Sequence, residues 1–225
     1  MGKFFLIYFI IAILSNPITA LIIILIIFLL LDRRYMRWFP QLIRRLKKSQ
    51  KLRQLLREVE ANPHNATDKL EVGRLYADRK RFTKAIPYLE EALERIHNHA
   101  EGVFYLGWCY LRTGRADAGL AKIEEALTLN PRVRYGEPYL RLAEYYREQG
   151  EYTKALNWLE RGHEAGLSNA EMAYREGQLL RQLGSKHQAA QAFDTAIQYY
   201  RTSPKYIKKE ERRWALLARL ARFRV

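Results

Sequence analysis

Ala100–Val133 reads AEGVFYLGWCYLRTGRADAGLAKIEEALTLNPRV, and it is one of four copies of a single pattern. Gly107 falls in register with Gly73, Ala143 and Gly177, and Gly119 with Ala85, Ala155 and Ala189. Ile123 matches Leu89, Leu159 and Phe193, and Ala126 matches Ala92, Gly162 and Ala196, with steps of 34, 36 and 34 residues between copies. Small residues at fixed points in a repeat of this length describe two antiparallel helices that approach closely where the facing side chains are small. Tyr76, Tyr110 and Tyr146 fill the gap beside the first crossing, with Leu180 in their place in the fourth copy. Gly114, Gly150 and Gly184 fall where the first helix must stop and reverse, and Pro131 falls where a second helix must end. The fourth copy departs furthest, with Glu176 where the pattern wants Leu. The two extra residues between the second and third copies lie in Arg132–Pro138, which reads as a lengthened surface loop: a tolerated insertion, or a loop used for binding.

The period and these residues resemble the tetratricopeptide repeat family. The resemblance implies an all-α helical solenoid of about four helix-turn-helix repeats with capping helices, its copies at 66–99, 100–133, 136–169 and 170–203. It implies a protein that grips other proteins and does not catalyse. In such arrays the first helix of each pair lines the concave groove. Carried over residue by residue, that places Arg74, Phe104, Trp108, Arg112, Glu144, Arg147, Tyr174, Gln178 and Arg181 in the groove. Trp, Tyr and Arg are frequent interface anchors, and the mixture suits a peptide carrying some acidic residues. Members that hold chaperone C-terminal carboxylates use Lys and Asn at particular groove positions. Leu70, Phe104, Leu140 and Tyr174 stand there instead, so chaperone-tail recognition is disfavoured.

Residues 1–40 form a different region. Phe4–Leu31 carries no charged side chain and is long enough to cross a bilayer. Ser15, Asn16 and Pro17 interrupt it as a helix cap followed by a first-turn proline would. Phe4–Leu14 would be only about 16 Å long as a helix, and a second piece from Pro17 would run to Phe39, before Pro40. A kinked single span and a short hairpin both fit. A cleaved signal peptide is disfavoured, because another long apolar run follows its would-be cleavage site. Arg33, Arg34, Arg37, Arg44, Arg45, Lys47 and Lys48 crowd the C-terminal flank, where they would meet anionic lipid and keep the repeats in the cytoplasm. Residues 41–65 form a basic linker and leading half-repeat, with Leu52, Leu55, Leu56 and Val59 on one helical face. The anchor-plus-repeats layout resembles that of small anchored bacterial members of the family, which sets the expected location at a bacterial cytoplasmic membrane.

The net charge of +15 sits at the two ends. Residues 1–60 hold 11 Lys and Arg against 3 Asp and Glu, residues 205–225 hold 8 against 2, and the array between them is nearly balanced. A solenoid that winds around nucleic acid would carry its excess charge on the repeats, so nucleic acid is disfavoured as a partner. In the C-terminal segment, 204–225, Ile207, Trp214, Leu217, Ala218 and Ala221 form a stripe that caps the last repeat. Leu216, Leu220 and Phe223 fall on another face among Arg212, Arg213 and Arg219, a face suited to lipid headgroups, to an acidic partner or to a broader packing interface.

No catalytic residue, cofactor or metal site is predicted. Cys109, the single cysteine, lies between Trp108 and Tyr110 on an apolar helix and reads as a buried thiol. His97 and His99 flank Asn98 without a third ligand, and no phosphate-cradling glycine loop appears. The expected function is a membrane-tethered adaptor for a protein or peptide. The alternative is a structural subunit of a membrane complex whose apolar segment packs against other spans. Oligomeric state is left open.

Overall fold

The computed structural model describes Ile18, Leu21, Ile22, Leu25 and residues 38–224, with side chains described at those first four positions and from Ser49 onward. The predicted membrane segment and the flank residues Arg33, Arg34 and Arg37 lie otherwise outside the described residues, as do the side chains of Arg44, Arg45, Lys47 and Lys48. Among the described residues, no helix is long and apolar enough to cross a membrane. The chain divides into one unit up to His64 and a second from Asn65 onward.

Helix α1, Trp38–Ala61, belongs to the first unit. It runs through Pro40, which the sequence reading placed just beyond a helix end. Leu52, Leu55 and Val59 are buried, as their shared helical face requires.

The second unit consists of four helix pairs and a closing helix. The pairs are α2 (Ala66–Asp78) with α3 (Phe82–Leu93), α4 (Ala100–Arg112) with α5 (Ala116–Leu129), α6 (Glu137–Glu148) with α7 (Tyr152–Glu164), and α8 (Ala170–Gln182) with α9 (Lys186–Thr202). Side chains start three of the first helices. Asn65 accepts from the N–H groups of Thr67 and Asp68 at 3.1 and 3.2 Å, His99 Nδ1 from Gly102 at 3.0 Å, and Asn169 from Met172 at 2.8 Å. Gly114, Gly150 and Gly184 reverse the chain with left-handed φ of 87°, 77° and 81°.

Within each pair the backbones meet at the small residues. A Cβ on Gly107 would stand 2.8 Å from the carbonyl oxygen of Gly119, and one on Gly177 would stand 2.6 Å from the Phe193 ring. Leu89, Ile123, Leu159 and Phe193 are fully buried behind those crossings, and Tyr76 packs beside the first. Glu176, the misfit of the fourth copy, escapes burial by facing His163 of the preceding pair at 3.4 Å.

The Arg132–Pro138 segment corrects its reading as a slack surface loop. Val133 and Pro138 are buried, and Val133–Gly136 forms a 3-10 turn in which Arg134, Tyr135 and Gly136 take left-handed φ of 53°, 54° and 81°. Arg134 holds the turn by pairing with Glu101 at 3.2 Å and Glu137 at 2.9 Å, while the Tyr135 ring stays 93% exposed.

The last element, α10 (Lys205–Arg222), lies on α8 and α9. Ala218 and Ala221 are buried against Ala173, Tyr174, Ala189, Phe193 and Ala196, with Trp214 and Leu217 packed alongside. The predicted capping stripe therefore closes the array.

Candidate functional site

The four first helices share one open face. A cavity of about 500 Å³ lies on it, lined by Ala77 and Asp78 of α2, Trp108 and Arg112 of α4, Leu140, Arg141 and Glu144 of α6, and Glu171 and Arg175 of α8. Lys80 and Phe82 close one side of it.

Trp108 is its centre. The ring is only 7% exposed, meets Phe82 edge-on at 6.4 Å, and lies under two guanidinium groups, Arg112 at 5.5 Å and Arg141 at 5.0 Å. Its indole N–H is buried and has no acceptor. An unmet buried donor costs about 1–3 kcal/mol.

The arginines of the groove are already paired. Arg112 pairs with Glu148 at 2.7 Å, Arg141 with Glu137, and Arg175 with Glu171 at 2.8 Å and Glu144 at 3.4 Å. The expected partner, a peptide carrying some acidic residues, would meet arginines already paired with these carboxylates. The groove suits a segment of mixed charge with an apolar side chain to set against Trp108 and Leu140.

Of the predicted groove residues, Trp108, Arg112 and Glu144 come together here. Phe104 does not: it is fully buried against Tyr105 and lies beneath Arg141, so it shapes the groove without reaching it. Tyr174 is also core, enclosed by Phe193 and by Trp214 of the capping helix. Gln178 is tied to the Tyr174 hydroxyl at 2.8 Å. Arg74 is held by Glu71 at one end of the face, and the half-buried Arg181 and exposed Arg147 lie outside the cavity. The sequence reading missed Arg141, Arg175, Glu137, Glu171 and Phe82. A signal for the first four was present, since Glu137–Arg141 and Glu171–Arg175 repeat one pair at the 34-residue step.

Cys109, next to Trp108, is fully buried, and burial pushes its thiol up to about 12, far from the range of a reactive nucleophile. Of the predicted C-terminal surface residues, Leu216, Leu220 and Phe223 are 48%, 63% and 91% exposed, and Arg212, Arg213 and Arg219 are exposed beside them.

Comparison with known proteins agrees with this architecture. The BBSome complex member BBS4 homolog of Drosophila melanogaster is 33% identical over 118 residues, covering 48% of this chain and 24% of that protein. The chain thus spans about a quarter of that relative's length. Among solved structures, PilW, a type IV pilus biogenesis factor, superposes with a TM-score of 0.60 at 16% identity, covering 72% of this chain and 74% of that one. MamA protein gives 0.57 at 21% identity, over 78% and 94%. At these identities the likeness is one of fold. The model of the tetratricopeptide repeat matches residues 70–133 and 140–206, more than half of the chain, which therefore belongs to the tetratricopeptide repeat family.

Proposed function

We propose that this chain is a membrane-tethered adaptor that holds a segment of a protein partner in the groove of its first helices. The observation that carries the reading is the cavity beside Trp108, lined by the first helices of all four repeats. Repeats of this family generally serve as non-catalytic interaction scaffolds, which supports an adaptor role.

The tether is the apolar stretch Phe4–Leu31, and its basic flank keeps the repeats on the cytoplasmic side of a bacterial membrane. Of that stretch, Ile18, Leu21, Ile22 and Leu25 are described, and they are helical.

The test is crosslinking in native membranes from a photoreactive residue at Leu140, with a second-helix position, Lys122, as control. A discrete protein product from Leu140, lost in the Trp108→Ala protein, is the expected result. Equal capture from Lys122, or capture indifferent to Trp108→Ala, would refute the groove as the working surface.

A further inference from the structure

Helix α10 has two faces with opposite fates. Its inner face is fixed in place: Ala215, Ala218 and Ala221 are buried, and Glu211, also buried, accepts from the Ala170 N–H at 3.2 Å and from the Ser203 hydroxyl. That anchoring sets the rotation of the helix about its axis, so the outer face is presented in one orientation.

On the outer face, Leu216, Leu220 and Phe223 follow one another at steps of four and three residues, which makes a single ridge on the side away from Ala218. Their exposures of 48%, 63% and 91% rise toward the C-terminal end. Arg213 and Arg219 flank the ridge on its two sides, and Lys205, Lys209 and Arg212 extend it toward the helix start. The arginines of the groove are paired, whereas among the described residues no carboxylate pairs with Lys205, Lys209, Arg212, Arg213 or Arg219.

We infer that the outer face of α10 docks on an anionic bilayer surface, with Leu216, Leu220 and Phe223 entering the boundary between headgroups and acyl chains while the flanking arginines and lysines meet lipid phosphates. A bilayer satisfies both halves of the face at once, since an in-plane helix needs an apolar ridge bordered by long cationic side chains that reach back to the headgroups. A second copy of the chain would bring like charge against like charge. Nucleic acid would satisfy the arginines and leave the Leu and Phe side chains in water. This contact is separate from the groove.

The experiment uses the full chain carrying a nitroxide at Leu220→Cys. Cys109 is fully buried and does not compete for label, and Gln188→Cys, exposed on α9, is the control position. Collision of the label with oxygen, which concentrates in lipid, is compared with collision with a water-soluble nickel chelate, in vesicles of phosphatidylcholine with and without phosphatidylglycerol. Because any N-terminal insertion would hold the protein on both vesicle types, the label reports the helix and not overall attachment.

The expected result is a label at 220 that becomes oxygen-accessible and nickel-shielded only when phosphatidylglycerol is present, with the label at 188 unchanged. The Arg212→Gln, Arg213→Gln, Arg219→Gln protein should return position 220 to water while its label mobility in lipid-free solution stays the same. A label at 220 that remains aqueous on phosphatidylglycerol vesicles overturns the inference. So does shielding equal on both vesicle types, or shielding from both collision agents, which would mark a protein partner or a second copy as the true cover.

Discussion

Lys80 stands where the other three copies have glycine, and it adopts the same left-handed backbone, with φ of 59°. A residue with a Cβ there is disfavoured by about 1–2 kcal/mol, partly offset by the greater chain entropy that glycine loses on folding. Lys80→Gly should therefore raise stability by about 0.5 kcal/mol, and Gly150→Ala should lower it by about 1 kcal/mol, both read from urea unfolding midpoints. A Cβ at Gly150 would meet nothing within 4 Å, so its loss would be one of backbone conformation alone. His163 is a second residue with a measurable signature. The hydrogen bond to Glu176 is the main cause that raises its imidazole above the ordinary 6.5, and the Leu167 carbonyl oxygen at 3.0 Å from Nδ1 favours the doubly protonated ring as well. A group raised on folding stabilises fully below its unfolded value and loses that contribution as pH rises through its folded value. The unfolding midpoint of the wild type should therefore fall as pH climbs above about 6.5, and that dependence should flatten in Glu176→Gln, which removes the acceptor charge.

At the scale of elements, the joint between α8, α9 and α10 turns on one carboxylate. Glu211 meets an orphan N–H at the start of α8, where the helix dipole favours negative charge, and it holds the Ser203 hydroxyl that ends α9. Glu211→Ala should cost about 1–3 kcal/mol and loosen the packing of Trp214 on Tyr174, seen as a loss of near-ultraviolet circular dichroism; Glu211→Gln should retain most of it. The legibility of the chain divides at this scale. The helix pairs could be read in advance because backbone crossings demand Gly or Ala, a constraint written in single letters at fixed spacing. The C-terminal cap could be read for the same reason, through its apolar stripe. The depth of a groove position could not. Register says that Phe104 and Trp108 share a helix face, but only the neighbouring side chains, Tyr105 and Arg141 among them, decide that Phe104 is sealed while Trp108 borders an open cavity. Tyr174 was misplaced likewise, because the helix that covers it comes forty residues later in the chain. The left-handed turn at Arg134 and Tyr135 was illegible as well, since neither residue type announces positive φ and the carboxylates that hold it lie on two different helices.

At the scale of the whole array, stability is shared between neighbours, and position along the chain decides how far damage travels. Each pair of a solenoid is held by its own packing and by the pairs on either side. Within the array α4 and α5 have a pair on both sides, whereas α2 and α3 have one. The two crossings also differ in what an added methyl would strike. At Gly107 it would meet the Gly119 carbonyl oxygen at 2.8 Å, a backbone atom that cannot turn aside, whereas at Gly73 the closest atoms belong to the Leu89 side chain. Gly107→Ala must push α4 and α5 apart, at a cost of about 2–3 kcal/mol, and Gly73→Ala must displace the fully buried Leu89 side chain, at a cost of about 1–2 kcal/mol. Hydrogen exchange separates the outcomes by place as well as by size. Gly107→Ala should accelerate exchange through α2 to α5 together, because α2 and α3 both pack on α4. Gly73→Ala should confine its effect to α2 and α3. Equal and local effects from the two substitutions would mean that the pairs fold independently, and the groove around Trp108, whose walls come from all four, would then owe its shape to each helix alone and not to their coupling.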